Sequence, residues 1–290
     1  PGTGGIGVVR VSGKKTRIIA KHIIDGLPPK RTAVIRTFVN GAGEALDSGL
    51  AVYFQGPNSY TGEDVLELQG HGGPGVLRLI LRACIDAGAR LAEPGEFTKR
   101  AYLNSKLDLA QAESVADLIG ASSEAAVLSA HRSLSGEFST RTEQIKTELI
   151  EARVFVEAAI DFSEEEIDFL KDESVKDRLN GVHLSLVQLR EQATQGNLLR
   201  EGAKVVLAGE PNVGKSTLMN RLSEEETSIV TQYAGTTRDS IERQIIVGGM
   251  PMLIIDTAGL RRSDDPIESM GIQRTLDHLK DADVIVDIRE

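Results

Sequence analysis

The chain has 290 residues, 40% hydrophobic and 26% charged, which excludes a disordered or fibrous protein and, by length, predicts about two domains. Its 33 Lys and Arg against 43 Asp and Glu give a net charge of −10, which argues against a surface coated in cations for non-specific nucleic-acid binding but leaves room for a local basic site. One cysteine, Cys84, excludes an intrachain disulfide or a multi-cysteine zinc site and points to a reducing, cytoplasmic compartment; no apolar run approaches the ~18 residues of a membrane span, so no membrane contact is expected.

In chain order, the first hundred residues read as mixed α/β. Residues 7–12 are rich in β-branched side chains and predict a strand, and 17–24 a short helix. Strands are expected over 32–39, 50–54 and 65–69. A helix over 76–87 is closed by Gly88. Glycine-rich turns at 41–43, 56–58 and 70–74 separate these elements. Cys84, beside Leu81 and Ile85 on a helix, reads as a core residue.

Between about 105 and 199 turn residues thin out. Ile145, Leu149, Val156 and Ile160 share a helix face. Val175, Leu179, Val182, Leu186, Leu189 and Ala193 follow steps of four and three, the spacing of a packed helical seam. Ser163 and the acids after it suit a helix start. From Gly202 the pattern changes again. Residues 204–208 predict a buried strand. Residues 240–247 and 250–255 predict a hairpin through Gly248-Gly249, 271–279 a helix and 284–288 a strand. The order strand, glycine loop, helix, hairpin, helix, strand is that of a nucleotide-binding α/β domain.

The glycine loop carries the chemistry. Gly209-Glu210-Pro211-Asn212-Val213-Gly214-Lys215-Ser216 fits G-x-x-x-x-G-K-[ST], between a strand and a helix that continues through Thr217. Its glycines let backbone N–H groups turn toward phosphate oxygens, and the helix N-terminus adds positive potential. Lys215 is placed for the β- and γ-phosphates, and the Ser216 hydroxyl for Mg²⁺. Gly235-Thr236-Thr237-Arg238-Asp239 follows. Thr237 is the second Mg²⁺ ligand expected, with Thr236 its competitor. Asp256-Thr257-Ala258-Gly259 ends the next strand, where Asp256 can hold a metal-bound water and Gly259 can offer its N–H to the γ-phosphate. These two segments look like those of GTPases. The base-reading N-K-x-D segment does not follow Asp256, and Asn104-Ser105-Lys106-Leu107-Asp108 is rejected for its order and spacing. The glutamine that orients water in Ras-like enzymes is replaced by Leu260, so another group is required; Arg261, Arg262, Asp264, Asp265 and Glu268 are nearby. Asn212 is either a turn residue or an amide that helps seat a monovalent cation.

Longer segments carry a resemblance. They are Gly4-Gly5-Ile6-Gly7 with Arg10-Val11-Ser12-Gly13; residues 56–64, Gly-Pro-Asn-Ser-Tyr-Thr-Gly-Glu-Asp; residues 67–73, Glu-Leu-Gln-Gly-His-Gly-Gly; residues 94–98; residues 106–113; residues 157–162; and residues 198–202. Together they make the chain similar, over nearly its whole length, to the MnmE (TrmE) family of tRNA-modification GTPases. The resemblance implies an α/β multidomain protein. An N-terminal α+β folate-binding-like domain that dimerises would span 1–104, a central α-helical domain 105–200, and a partial Ras-like P-loop G domain 201–290. It implies a homodimer acting with a flavoprotein of the glucose-inhibited division protein A family on C5 of the wobble uridine of tRNA, with a one-carbon unit from 5-formyltetrahydrofolate or a related tetrahydrofolate. Arg10, Glu67 and Lys106 would be the folate residues, cations for the glutamate tail and a carboxylate for the pterin donors. By themselves Arg10 and Glu67 read as outward strand residues. GTP hydrolysis would be activated by K⁺ and by pairing of G domains. The ion would be held by Asn212, Thr236 and the carbonyls of Thr231 and Tyr233, with Glu268 catalytic in place of the glutamine. Nucleotide contacts would span Asn212, Val213, Gly214, Lys215, Ser216, Thr217, Thr231, Thr236, Thr237, Asp256, Thr257, Ala258 and Gly259. A start without methionine and an end inside a strand predict a fragment lacking the guanine-reading segment, the C-terminal helices and the family's C-terminal cysteine.

Overall fold

A computed structural model describes residues 4–161, 173–209, 213–225, 241–256 and 280–289. It forms two units, Pro1–Glu113 and Ser114–Glu290. In the first, β1 (Ile6–Ser12), α1 (Thr16–Ile24), β2 (Val34–Val39), β3 (Ala45–Phe54), β4 (Val65–His71), α2 (Pro74–Asp86) and α3 (Glu96–Leu103) follow in order. The sheet order is β1-β4-β3-β2 and each pairing is antiparallel.

Alternation decides the faces. Val9 and Val11 of β1 are buried while Val8 and Arg10 are exposed, as the two-residue period of a strand requires. Leu66 and Leu68 of β4 join Val9, Val11 and Phe38 in a core closed by Ile19 and Ile23 of α1 and Ile80 and Cys84 of α2. Truncating Leu66 or Leu68 to alanine in so closed a site costs about 2–5 kcal/mol. Past the end of α2, Gly88 takes φ +103 and lets the Ala89 N–H reach back to the Cys84 carbonyl at 3.0 Å.

Two elements differ from the sequence pattern. β3 starts five residues before Leu50. The Asn40 side-chain oxygen accepts the N–H groups of Ala42 and Glu44, both at 3.0 Å, which closes a turn and carries polar Asp47 and Ser48 into pairing with Phe38 and Thr37. α3, which the pattern does not announce, is held by Glu96 in its first turn.

The helix α4 (Leu109–Gly120) spans the division between the units. α5 (Glu124–Leu134) is capped by Ser123, whose hydroxyl accepts the Ala126 N–H at 3.1 Å. α6 (Glu137–Asp161) and α7 (Glu173–Glu201) pack together, with Ala152 and Val182 buried. The rest of the expected seam is less covered: Leu149, Ile160, Leu179 and Leu186 are exposed. Among the described residues no helix is long and apolar enough to cross a membrane.

The second sheet contains β5 (Ala203–Gly209), β6 (Ile241–Val247), β7 (Met250–Asp256) and β8 (Val284–Ile288), in the order β6-β7-β5-β8. β5 is parallel to both β7 and β8. The β6–β7 hairpin turns through Gly248 and Gly249 at φ +59 and +83, a pair of positive angles that a two-residue loop of this kind demands. α8 (Lys215–Glu225) follows β5 and packs Met219 against Val205, Leu207, Ile245 and Ile254. The helix starts expected at Ser163 and Gly271 lie outside the described residues.

Candidate functional site

β5 is a continuous apolar run, and Val205, Val206 and Leu207 are all buried, as in a strand covered on both faces. The strand ends at Gly209, which has φ +141. An ideal Cβ there would overlap the Ile288 carbonyl oxygen of β8. Gly214, at φ +98, precedes the first residue of α8, and its carbonyl accepts the Leu218 N–H at 2.9 Å. The helix N-terminus therefore opens at the carboxyl end of β5, flanked by two parallel strands, where open α/β sheets bind their ligands. Lys215 is 5% exposed, and its Nζ donates to the Gly209 carbonyl at 2.8 Å. The ammonium is thus folded back across the loop it follows. A buried ammonium at a helix N-terminus is a donor set that fits nucleotide phosphates.

β7 reaches the same edge. Asp256, its last residue, is the Cα partner of Leu207, two residues before Gly209. Of the nucleotide residues expected, the structure brings Val213, Gly214, Lys215 and the backbones of Ser216, Thr217 and Asp256 to this edge. Asn212, Thr231, Tyr233, Thr236, Thr237, Thr257, Ala258, Gly259 and Glu268 lie outside the described residues.

The second candidate site is on the first unit. Arg10 and Glu67 are Cα partners across β1 and β4. Arg10 Nη2 lies 2.7 Å from Glu67 Oε1, and Nε donates to the same oxygen at 2.8 Å. The other oxygen, Oε2, accepts from Gln69 at 3.4 Å, so the carboxylate keeps accepting capacity. The Arg10 guanidinium lies 5.8 Å from the ring centres of both Tyr60 and Phe97, within reach of cation–π attraction. Lys106 does not join this pair. It follows α3, packs its stem near Gly62, and lines an open cleft of about 490 Å³ with Tyr102, Asp108 and Gln111. The Arg10 side chain instead lines a cavity of about 590 Å³ along β1. With accepting capacity left on Glu67, the outward Arg–Glu pair is chemically compatible with the donor-rich edge of a pterin.

The supporting network around Arg10 has no counterpart in motif reasoning. Glu96, 9% exposed, accepts two hydrogen bonds from Arg90 and two from Arg100, and also the Glu93 N–H at 2.9 Å. Arg90, then the Glu93 amide and Arg100, hold its carboxyl far below the usual range. Arg100 continues to Glu63 at 2.9 Å, and Glu63 to Ser12 at 2.9 Å. The chain of bonds ties α3 to the loop over 56–64 and to β1. Asn104, inside the rejected N-K-x-D look-alike, donates to the Thr61 carbonyl at 2.7 Å and so serves this loop. The one sequence signal for the network was the run 94–98, in which Pro-Gly precedes an acid at a helix start.

Cys84 is 1% exposed, and burial pushes its thiol up to about 11. It is a core side chain.

A mixed sheet whose parallel strands β7, β5 and β8 carry a lysine-bearing phosphate loop defines a P-loop nucleotide-binding unit, here in one chain with an antiparallel α+β unit. Residues 1–106 match the family described as "GTP-binding protein TrmE N-terminus", and residues 109–287 match the "MnmE helical domain". The chain is 56% identical over its whole length to the tRNA modification GTPase MnmE of Chromobacterium violaceum, and 55% identical over 98% of its length to that of Thiobacillus denitrificans. That of Coxiella burnetii is 54% identical over 98% of the chain. The chain covers 65%, 64% and 63% of those proteins. It belongs to the MnmE (TrmE) family.

Proposed function

We propose that this protein hydrolyses GTP in the service of tRNA wobble-uridine modification. The carrying observation is the phosphate loop with buried Lys215 in the same chain as the TrmE-type unit bearing Arg10 and Glu67. The named relatives, tRNA modification GTPases, support the same reading. The domain division 1–104, 105–200 and 201–290 is part of it, as are a cytoplasmic location and a homodimer working with a flavoprotein on tRNA.

Each residue has a task. The N–H groups at the start of α8 would donate to the phosphate oxygens, and Lys215 adds a point charge whose attraction strengthens as negative charge moves onto the leaving group. Ser216 and Thr237 would hold Mg²⁺, which supplies charge neutralisation between the phosphates. Asn212, Thr231, Tyr233 and Thr236 would hold K⁺. Glu268 would orient the attacking water, since Leu260 cannot. Arg10 and Glu67, with Lys106 from its own cleft, would bind the tetrahydrofolate.

GTP turnover of the protein in KCl and in NaCl tests the reading. Turnover is expected in KCl and to be much lower in NaCl; equal rates would remove the K⁺ role. Glu268→Ala should retain nucleotide and lose turnover. An unimpaired rate would move the catalytic role to another residue.

A further inference from the structure

β1 is an edge strand: it pairs with β4 on one side, and among the described residues no strand covers the other. Along that free edge runs the cavity of about 590 Å³, between β1, α1, α2 and the segment leading into α3. Its volume is that of a small-molecule site. The lining divides into two kinds of surface. Leu77, Leu81, Ile85 and Phe97 supply an apolar floor. Arg10, Lys14, Lys15, Arg78, Arg90 and Arg100 supply six cations, against one carboxylate, Glu96.

The balance of pairing sharpens this. Glu96 is consumed by Arg90 and Arg100, and Arg10 is paired with Glu67. Lys14, Lys15 and Arg78 are exposed and make no ion pair among the described residues. The Lys15 Nζ lies over the end of α2, near Gly88. Three uncompensated cations around an apolar floor attract a ligand with a flat apolar body and several negative charges. Folate has that shape. Its p-aminobenzoyl ring is flat and apolar, and each γ-linked glutamate adds a carboxylate. Arg10, the partner of Glu67, is among the residues that line this cavity.

We propose that the cavity is a subsite for the polyglutamate tail of the folate, with the p-aminobenzoyl ring over Leu77, Leu81 and Ile85 and the glutamate carboxylates at Lys14, Lys15 and Arg78. The inference rests on the folate reading of Arg10 and Glu67 and adds that the protein selects the polyglutamylated form.

The experiment is calorimetric titration of the whole protein with 5-formyltetrahydrofolate bearing one glutamate and bearing three. Two added carboxylates meeting exposed cations should tighten binding about 3- to 30-fold at low salt. The gain should fade in 0.5 M KCl, where screening is strong. Lys14→Gln with Lys15→Gln should bring the ratio of the two affinities toward one, and Arg78→Gln should reduce it independently from α2. Equal affinities for the two ligands in the unaltered protein would overturn the subsite while leaving the folate reading standing. A ratio insensitive to salt and to both variants would overturn it as well. Failure of both ligands to bind would overturn the folate reading and the subsite together.

Discussion

Gly209→Ala is the substitution that most directly probes how the phosphate loop is built. Gly209 sits at φ +141, where an L residue is strained by about 1–3 kcal/mol. An added Cβ would also overlap the Ile288 carbonyl oxygen and lie 3.3 Å from Val213 Cγ2. The obstructing oxygen is backbone in a paired strand, so it cannot swing aside as a side chain would. The end of β8 must part from β5, giving up one or two ladder hydrogen bonds at about 0.5–1.5 kcal/mol each. The two terms together cost about 1.5–6 kcal/mol, confined to the second sheet. Gly214→Ala is the control. Its φ is +98, but a Cβ there meets nothing within 4 Å, so strain is the whole penalty. With two units present a single unfolding free energy is ill-defined, so the assay is amide hydrogen exchange read by mass spectrometry. Peptides of β5 and β8 should exchange at least about 10-fold faster in Gly209→Ala, while those of β4 keep their protection. Exchange within threefold of the unaltered protein, or no greater than in Gly214→Ala, would refute the steric argument.

Two further outcomes concern the first unit. Burial alone would raise the Asp64 carboxyl, but the Gly56 N–H, Tyr53 and Arg17 together bring it below the ordinary range; His71 does the same for Asp47. Carboxyls lowered on folding stabilise the native state above their unfolded pKa, and that stabilisation disappears as pH falls through the folded value. The urea midpoint followed by tyrosine fluorescence should therefore hold from neutrality and decline once pH drops below about 4. Asp47→Asn should flatten part of that decline; an unchanged acid profile would remove Asp47 from the account. Cys84, raised to about 11, should resist a disulfide reagent at pH 8 in the native state and react fully in guanidinium. Rapid native labelling would contradict its core placement.

Local chemistry was legible wherever a short segment imposes its own conformation. The Gly248-Gly249 turn, the Gly88 helix end and the strand–loop–helix at Gly209 to Lys215 each need particular backbone angles that few residues supply. They could be read from a few letters. The alternating burial of β1 was likewise visible in its branched residues. α3 was not, because Glu-Phe-Thr-Lys-Arg-Ala-Tyr-Leu is only eight residues long and largely polar, too short a run for its spacing to separate helix from loop. Its start is fixed by Glu96, which meets Arg100 one turn on and Arg90 six residues before, local pairs that no apolar pattern announces. The helical seam misled in the opposite direction: its spacing is right for packing, but spacing does not say how many partners will cover it.

What the sequence determined by itself is the phosphate loop, the order of elements and the family, because these depend on neighbouring residues and on matches along the chain. Tertiary structure alone decided which distant groups meet. Arg10 and Glu67 are 57 residues apart and become partners only through the antiparallel register of β1 on β4. Lys106, grouped with them by resemblance, lies in a different cleft because the turn after α3 anchors it beside Gly62. Register is a property of two strands packed over one core, and a one-residue slip would send Arg10 into that core. No local segment carries that information.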